Sequence, residues 1–317
     1  MLIKKVAIVL TLISLMMPAN GWTAPFNPDV LNSVVSLLPE WPHVKAGLDA
    51  KMGGPKDPEG SAVAIFPGGY LATNSHVLGA AKAARIRLND GRILPAQILA
   101  KDNATDLALI KVDIDLPVLE RSSEVQLGNS VCAVGNQFGL GLSVTCGVIS
   151  ATGRTGMGFN PIEDFIQTDA VINPGGSGGA LVDHQGRLAG LVSAIFTKNG
   201  DSNIGVNFAT SSLLLYRIME DLRDHGKVIR VKSGLRVRRL ADLQRQYYSG
   251  AEVIKTLDKS PAFKAGLKSK DIVTRIGLRS IRKPTDVTSA FQFIQIGEHI
   301  RIEFIRDNQQ METTVQF

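Results

Sequence analysis

The sequence predicts a mostly β protein, in which a large all-β domain of the sandwich or barrel type precedes a smaller α+β domain. Short runs rich in Val, Ile and Leu, separated by Gly, Asn, Asp and Pro, occupy residues 33–209. This pattern is typical of an all-β domain and differs from a regular alternation of strands and helices. A helical pattern follows, and strands and helices are mixed beyond it. A chain of 317 residues is long enough for both domains.

The two predicted domains differ in charge. Residues 22–229 contain 16 Lys and Arg against 20 Asp and Glu, whereas residues 230–317 contain 17 against 9. The basic domain is suited to acidic polypeptides or to an anionic membrane surface, and a solvated basic face is the alternative. Its aromatic residues are not interleaved with basic ones as base stacking requires, so no nucleic-acid partner is expected.

Residues 1–21 predict a secretory signal peptide. Two lysines precede an apolar run from Val6 to Met17, which Pro18 ends. The run is shorter than the roughly 20 residues that span a bilayer. The small residues Ala19 and Gly21 favour cleavage after Gly21. We therefore expect a periplasmic protein, with an uncleaved inner-membrane anchor as the alternative.

Eight short apolar runs predict the strands of the larger domain. A helix is expected after them, because Leu214, Ile218 and Leu222 recur every four residues. Thr210 or Ser211 would cap this helix, and Gly226 would end it. The boundary between the domains is therefore placed at residues 229 and 230. The strand segments are residues 33–38, 61–66, 84–88, 107–112, 131–135, 143–150, 189–196 and 205–209.

The C-terminal domain, residues 230–317, has its own pattern of strands and helices. Ser260 as N-cap, Pro261 at the first helical position and Gly266 beyond the end predict a short helix. The Asp307-Asn308 pair predicts a turn between two alternating strands. The remaining expected segments are strands at 251–257 and 271–276 and a helix at 285–294.

Cys132 and Cys146 are the only two cysteines of the sequence. They flank a segment that reads as strand, Gly-rich turn and strand, so the two could face each other across a hairpin. Export to an oxidising compartment favours a disulfide, and two small buried thiols are the alternative. Neither cysteine stands at metal-ligand spacing from a histidine, so no metal site is expected.

One of the five histidines stands out as a candidate catalytic base. A serine hydroxyl is a weak nucleophile at neutral pH, so a serine enzyme needs an imidazole to accept its proton and a carboxylate to orient that imidazole. His76 follows a β-rich run and has small, polar neighbours, whereas the other four lie in loops or at the ends of elements. A structural histidine at a strand end is the alternative for His76.

Asp106 and Ser177 complete a candidate triad. Asp106 comes just before an apolar strand, and Ser177 lies in the glycine-rich stretch "INPGGSGGAL". Taken alone, Asp106 is more often a turn former or helix cap, and the glycine-rich stretch around Ser177 is equally consistent with a flexible surface turn. The order His76, Asp106, Ser177 is that of the chymotrypsin-like arrangement, while other serine hydrolases place the same roles in other orders.

Four motifs together resemble the HtrA family of trypsin-like serine proteases: "TNSHV", "TDLALIKV", "GNQFGLGLSVTCGVIS" and "QTDAVINPGGSGGAL". The stretch "AEVIKTLDKSPAFKAGLKSKDIVTRIG" is similar to the single PDZ domain of shorter members. The resemblance covers nearly all of residues 33–317. It implies a chymotrypsin-like double β-barrel at residues 22–229 and a PDZ domain at residues 230–317.

The resemblance also implies residue roles. Ser177 is expected to be the nucleophile, His76 the general base and then acid, and Asp106 the residue that orients His76. The turn of Gly175, Gly176 and Ser177 is expected to form the oxyanion hole through the N–H groups of Gly175 and Ser177. Gly176 and Gly178 are expected to give this turn its φ freedom.

The substrate pocket is expected to be apolar. Enzymes of this type that cut after Lys or Arg carry an acid six residues before the serine, but Val171 occupies that position here. The pocket should therefore accept small or medium aliphatic residues such as Val, Ala, Ile or Leu. The expected lining residues are Val171, Ile172, Ala194, Ile195 and Phe196.

Two regulatory features follow from the resemblance. Arg154 in "ISATGRTG" corresponds to the arginine of the loop that senses the oxyanion turn, with a solvated loop arginine as the alternative. "SGLRV", comprising Gly234, Leu235, Arg236 and Val237 after Ser233, corresponds to the loop that receives a peptide's C-terminal carboxylate. Family members usually have Gly where Arg236 stands, so this arginine either adds a cation or blocks the approach.

The function implied is an exported, ATP-independent serine endopeptidase that degrades unfolded proteins for quality control and needs no cofactor. A homotrimer is expected, with Trp22, Phe26 and Trp41 as candidate contacts, although each could pack on its own subunit. The alternatives are a signal-anchored regulatory protease with a dedicated substrate and a non-catalytic peptide-binding chaperone on the same fold.

Overall fold

The computed structural model describes residues 26–41, 59–123, 125–195 and 205–317, without the side chains of residues 194 and 195. Its first barrel closes in the order β1-β2-β3-β6-β5-β4. A single-turn helix, α1 (Ser75–Leu78), follows β3. The strands are β1 (Val34–Glu40), β2 (Gly60–Phe66), β3 (Tyr70–Asn74), β4 (Ala83–Arg87), β5 (Ile93–Asp102) and β6 (Leu107–Val112).

A second barrel follows and closes in the order β10-β11-β12-β9-β8-β7. Every segment expected to be a strand contains one, and the short or mixed strands β3, β5, β9 and β10 are additional. The strands are β7 (Ser130–Gly135), β8 (Ser143–Arg154), β9 (Phe165–Thr168), β10 (Ala180–Asp183), β11 (Leu188–Ile195) and β12 (Asn207–Ser211).

Helix α2 (Ser212–His225) covers the junction of the two barrels. The Ser211 hydroxyl accepts a hydrogen bond from the N–H of Leu214, and Gly226 ends the helix with a φ of 67°, which confirms the predicted caps. The apolar face of α2 packs with strand residues of both barrels in one buried cluster. Each barrel also has its own apolar interior.

The C-terminal domain is a sheet in the order β13-β14-β15-β17-β18 with two short helices. The Ser260 hydroxyl caps α3, and Asp307 and Asn308 form the expected turn with positive φ at both residues. Its elements are β13 (Leu235–Arg239), β14 (Ala251–Thr256), α3 (Pro261–Lys264), β15 (Ile272–Ile276), β16 (Arg279–Ser280), α4 (Pro284–Ala290), β17 (His299–Arg306) and β18 (Gln309–Gln316).

Together, two closed barrels and this smaller domain confirm the predicted fold class. The predicted division at residues 229 and 230 falls between the end of α2 and the start of β13. The two parts contact each other through polar groups: Arg279 pairs with Asp164, and Arg230 lies 2.6 Å from the carboxylate of Asp102. None of the described helices is long and apolar enough to cross a membrane. The predicted signal peptide lies outside the described residues.

Candidate active site

His76 and Asp106 lie at adjacent strand ends of the first barrel. β3 pairs with β6 so that Asn74 faces Leu107, which brings the residues after β3 next to those before β6. The N–H of Ser75 and the side-chain amide of Asn74 both donate to the Asp106 carbonyl at 3.1 Å. Sheet register therefore sets the distance between His76 and Asp106.

The carboxylate of Asp106 holds the imidazole of His76 at two points. Oδ1 accepts the backbone N–H of His76 at 2.8 Å, and Oδ2 lies 2.6 Å from Nδ1. An ionised carboxylate only accepts hydrogen bonds, so Nδ1 carries a proton and Nε2 of the neutral ring is a proton acceptor. Asp106 adopts a φ of 57°, which aspartate tolerates better than most residues.

Ser177 lies opposite this pair, between the two barrels. Its carbonyl accepts the N–H of Ser61 on β2 at 2.9 Å, and the next N–H, of Gly178, donates to Val192 on β11 at 2.8 Å. Gly178 has a φ of 84°, and a Cβ there would lie 2.0 Å from the Ser61 carbonyl oxygen. Only glycine fits this position.

Ser177 and His76 line one cleft of about 660 Å³. Among the described residues, the Ser177 hydroxyl donates to the Ser193 carbonyl at 3.3 Å rather than to His76. Catalytic hydrogen bonds are often long or misaligned before substrate binds, so this geometry does not exclude a role for Ser177.

Burial lowers the pKa of Lys101, whose ammonium donates to the carbonyl of Gly79 at the end of α1.

The turn before Ser177 presents two backbone donors that have no acceptor among the described residues. The Pro174 carbonyl accepts the N–H of Phe138 at 2.7 Å, and the two ends of a trans peptide point in opposite directions. The N–H of Gly175 is therefore directed away from Phe138. Neither this N–H nor that of Ser177 donates to any other described residue. Such donors are suited to a developing oxyanion.

Gly176 departs from its expected role. Its N–H donates to the Asn173 carbonyl at 3.0 Å, so it closes the turn and is not a free donor. The expectation that Gly176 supplies φ freedom is wrong, because the positive φ values occur at Gly175 and Gly178. At Gly175, with a φ of 90°, an added Cβ would lie 2.3 Å from the Asn136 carbonyl oxygen.

The expected pocket residues are only partly placed. Ile172 is buried and lines the catalytic cleft. Val171 is 43% exposed and does not line it. The side chains of Ala194 and Ile195, and all of Phe196, lie outside the described residues.

A loop that sequence reasoning missed forms another wall of the cleft. Phe159 lines the cleft and packs against Phe165 and Phe208, with ring centroids 6.2 and 5.5 Å away. The buried carboxylate of Glu163 accepts four consecutive backbone N–H groups, of residues 157–160, at 2.6 to 3.1 Å. An acid closely following the "GMGFN" segment was the only signal in the sequence.

Arg154 does not line the catalytic cleft. It ends β8, is exposed, and donates through Nε to the Gln167 side chain at 3.2 Å. The next residue, Thr155, contacts α4, because its hydroxyl donates to Asp286 at 2.6 Å. The Lys283 ammonium donates to the Thr155 carbonyl. This loop therefore connects the catalytic cleft to the C-terminal domain.

The expected peptide-binding loop precedes the edge strand β13. Gly234 has a φ of 73°, and a Cβ there would lie 2.2 Å from the Ser260 side chain. The N–H of Leu235 donates to the Ser233 hydroxyl at 3.2 Å. Arg236 and Val237 lie on β13, whose outer edge has no described neighbour strand. An open edge can accept a further strand.

Three further expectations concern cysteines, metals and aromatic residues. Cys132 faces Cys146 across the β7–β8 hairpin, and their sulfur atoms are bonded. The described residues contain no cluster of three or more side chains suited to a metal. Phe26 packs on its own core, and the Trp41 indole donates to the Leu78 carbonyl at 3.1 Å. Trp22 lies outside the described residues.

A double barrel with this cleft, followed by a sheet domain with an open edge, defines the class of trypsin-like serine peptidases that carry a PDZ domain. Residues 60–191 match the model of the trypsin-like peptidase domain, and residues 203–317 match that of the PDZ domain.

Two curated relatives indicate which family within this class the chain resembles. The chain is 34% identical to the periplasmic serine endoprotease DegP of Escherichia coli K12 over 261 residues, which cover 78% of this chain and 54% of DegP. It is 33% identical to the periplasmic pH-dependent serine endoprotease DegQ of the same strain over 256 residues, which cover 78% of this chain and 56% of DegQ. The chain thus spans about half the length of these curated relatives.

A solved structure matches over almost its full length. The HtrA-type protease AlgW, determined with a tripeptide, is 35% identical, with a TM-score of 0.70. The match covers 91% of this chain and 95% of AlgW. The chain belongs to the HtrA family.

Proposed function

We propose that this protein is a serine endopeptidase that cleaves unfolded polypeptides. The observation that carries the proposal is the convergence on one cleft of an oriented imidazole, a serine hydroxyl and two free backbone donors. Its relatives are named serine endoproteases, which supports the same reaction.

The proposed reaction is acyl transfer through Ser177. Its Oγ attacks the substrate carbonyl while Nε2 of His76 accepts the proton, and Asp106 stabilises the resulting imidazolium. The N–H groups of Gly175 and Ser177 bind the oxyanion. The imidazolium then protonates the leaving amine, and water hydrolyses the acyl-enzyme by the same steps. No step requires a cofactor.

We expect cleavage after small or medium aliphatic residues. Ile172 presents an apolar surface to the cleft, and no acid stands six residues before Ser177. Apolar residues of this kind are exposed mainly in unfolded chains, which fits a role in quality control. Casein digestion with mapped cut sites tests this preference, and cleavage mainly after Lys or Arg would contradict it.

The activity itself is tested by comparing wild type with Ser177→Ala. Wild type should digest casein and the variant should not, while both keep the same unfolding temperature. A chaperone without catalysis is the second candidate, since the Ser177 hydroxyl faces the Ser193 carbonyl. Equal failure of both proteins to digest casein, with suppression of aggregation by both, would favour that candidate.

The PDZ domain is proposed to bind C-terminal peptides along β13, at the loop of residues 234–237. Arg236 either strengthens or hinders capture of the carboxylate. Binding of one peptide with a free and an amidated C-terminus, measured on wild type and Arg236→Gly, distinguishes these two effects of Arg236.

Arg154 is proposed to report peptide binding to the oxyanion turn, so Arg154→Ala should lower the turnover rate more than the free energy of unfolding.

Location and assembly complete the proposal. Relatives are named periplasmic, which supports export by residues 1–21. N-terminal sequencing of the mature protein distinguishes a cleaved signal peptide from an anchored regulatory protease. A homotrimer is proposed, and sedimentation of the mature chain tests it.

A further inference from the structure

A second cleft, of about 800 Å³, lies between the second barrel and the PDZ domain. It shares no lining residue with the catalytic cleft. Residues at the end of β8 and the start of α2 form one wall, and β16 and α4 form the other. Its volume falls within the range of about 300–1,000 Å³ that small-molecule sites occupy.

Cationic side chains outnumber acidic ones in the lining of this interdomain cleft. Five are present against two carboxylates, and they come from both domains. A concave surface with such an excess of one sign concentrates ligands of the opposite charge. The cations are Arg121 and Arg154 from the protease and Arg279, Arg282 and Lys283 from the PDZ domain.

Both carboxylates are already occupied by protein groups. Asp164 pairs with Arg279 and accepts the Ser211 hydroxyl at 2.5 Å. Asp286 accepts the Thr155 hydroxyl and two backbone N–H groups at the start of α4. Among the described residues, neither carboxylate forms an ion pair with Arg121, Arg154 or Arg282.

Three guanidinium groups have no carboxylate partner among the described residues. Arg154 donates to an amide oxygen, and the Arg121 guanidinium lies 5.9 Å from the centroid of the Tyr216 ring. Arg282 has no side-chain partner within the described part of the chain, where only its backbone N–H is bonded. Guanidinium groups form bidentate pairs with phosphate and carboxylate oxygens. The cleft thus holds three unused anion-binding groups on two facing walls.

Ser289 provides an independent indication of a ligand. It lies on α4, lines the cleft and is 2% exposed. Its Oγ has no hydrogen-bond partner among the described residues. Buried hydroxyl groups are normally hydrogen-bonded, and an oxygen of a bound anion would supply the partner.

We infer that the interdomain cleft binds a small polyanion that carries at least two phosphate groups. A single carboxylate would neutralise one of the three unpaired arginines, whereas a diphosphate carries enough charge and oxygens for all of them. Such a ligand would bridge Arg154 of the protease to Arg282 of the PDZ domain. Binding of this ligand would therefore stabilise the observed arrangement of the two domains. This binding does not depend on whether the protein is catalytically active.

Calorimetric titration of the full-length Ser177→Ala protein with inorganic pyrophosphate tests this site without proteolysis. We expect saturable binding that weakens at least tenfold in Arg282→Gln and in Arg154→Gln, and that falls with salt. Ser289→Ala should weaken it less. Arg236→Gln and Arg239→Gln, in the same basic domain but outside the cleft, are the matched controls and should keep the original affinity.

Vesicles containing cardiolipin, whose headgroup carries two phosphates, provide a second probe. Cosedimentation that the same cleft variants abolish would assign the phosphate to a lipid headgroup, and binding of pyrophosphate alone would assign it to a soluble anion. Thermal unfolding without ligand verifies that each variant is folded. Absence of saturable binding to both probes, or equal affinity in cleft and control variants, would overturn the site.

Discussion

The two sides of the catalytic cleft are built in different ways. On the first barrel, the register between β3 and β6 places His76 against Asp106, so two paired strands are sufficient to form the acid–base pair. On the second barrel, Ser177 and the two donors depend on contacts from three separate segments, namely β2, β11 and the segment of Phe138. Sheet pairing therefore holds the positions of His76 and Asp106. The position of Ser177 and of its two neighbouring donors can be changed by substitutions in segments far from the reacting atoms.

The largest effect should come from the acid–base side. Asp106→Asn leaves the barrel intact but puts an amide against Nδ1, which disturbs the tautomer of His76. We expect a loss of about 10⁴-fold in kcat, by analogy with serine peptidases in general. Asp113→Asn, an exposed aspartate after β6, is the control for steady-state peptide cleavage. A loss below tenfold would remove Asp106 from the mechanism.

Gly178→Ala tests how tightly the nucleophile side is enclosed. The new Cβ would overlap the Ser61 carbonyl, so we expect a loss of about 10²–10³-fold in activity and a fall of about 2–4 kcal/mol in the free energy of unfolding. Gly128→Ala is the matched control, since its φ is 81° but no atom lies within 4 Å. Equal effects of the two substitutions in urea unfolding and cleavage assays would show that φ strain alone matters.

Ser61→Ala tests the link between the barrels. The Ser61 hydroxyl donates to the Gly175 carbonyl and accepts the Asn136 N–H, both at 2.8 Å. Its loss leaves buried groups unpaired, which costs about 1–3 kcal/mol. We expect kcat to fall by about 10–100-fold with little change in KM, because the oxyanion turn is displaced. Ser36→Ala on β1 is the control. A change in KM with kcat unchanged would contradict the assigned role.

The smallest effect is expected at the loop that reaches the PDZ domain. Glu163→Gln replaces one acceptor oxygen with an amide NH2 group, which only donates, so the four N–H groups at residues 157–160 are no longer all satisfied. We expect kcat/KM to fall by about tenfold through movement of Phe159. Glu120→Gln, an exposed glutamate, controls for the lost charge. Unchanged cleavage of long and short peptides would separate this loop from the active site.

The features that can be predicted from the sequence are those that depend on residues close together in the chain. The caps of α2 and α3 and the Asp307-Asn308 turn depend on side chains within a few residues of the backbone groups they satisfy. The short strands β9 and β10 were missed because they contain too few apolar residues to alternate visibly. Their pairing within the barrel, rather than their own pattern, makes them strands.

The same difference between local and long-range contacts applies to the candidate site. Order and family motifs indicate His76, Asp106 and Ser177, but the bond from Phe138 to Pro174 joins residues 36 positions apart and leaves no local pattern. The φ value of Gly176 could not be distinguished from those of its neighbours, because consecutive glycines read alike in the sequence. Glu163 and the interdomain cleft likewise depend on contacts between distant segments.

The central claim is that Ser177 is the nucleophile activated by His76, and phosphonate labelling tests it most directly. Full-length protein and Ser177→Ala are treated with a serine-reactive phosphonate, with and without an added C-terminal peptide, and the modified peptide is identified by mass spectrometry. The account predicts labelling at Ser177 in the wild type and none in the variant. Absence of labelling at Ser177 in the wild type, both without and with the added peptide, would contradict the claim.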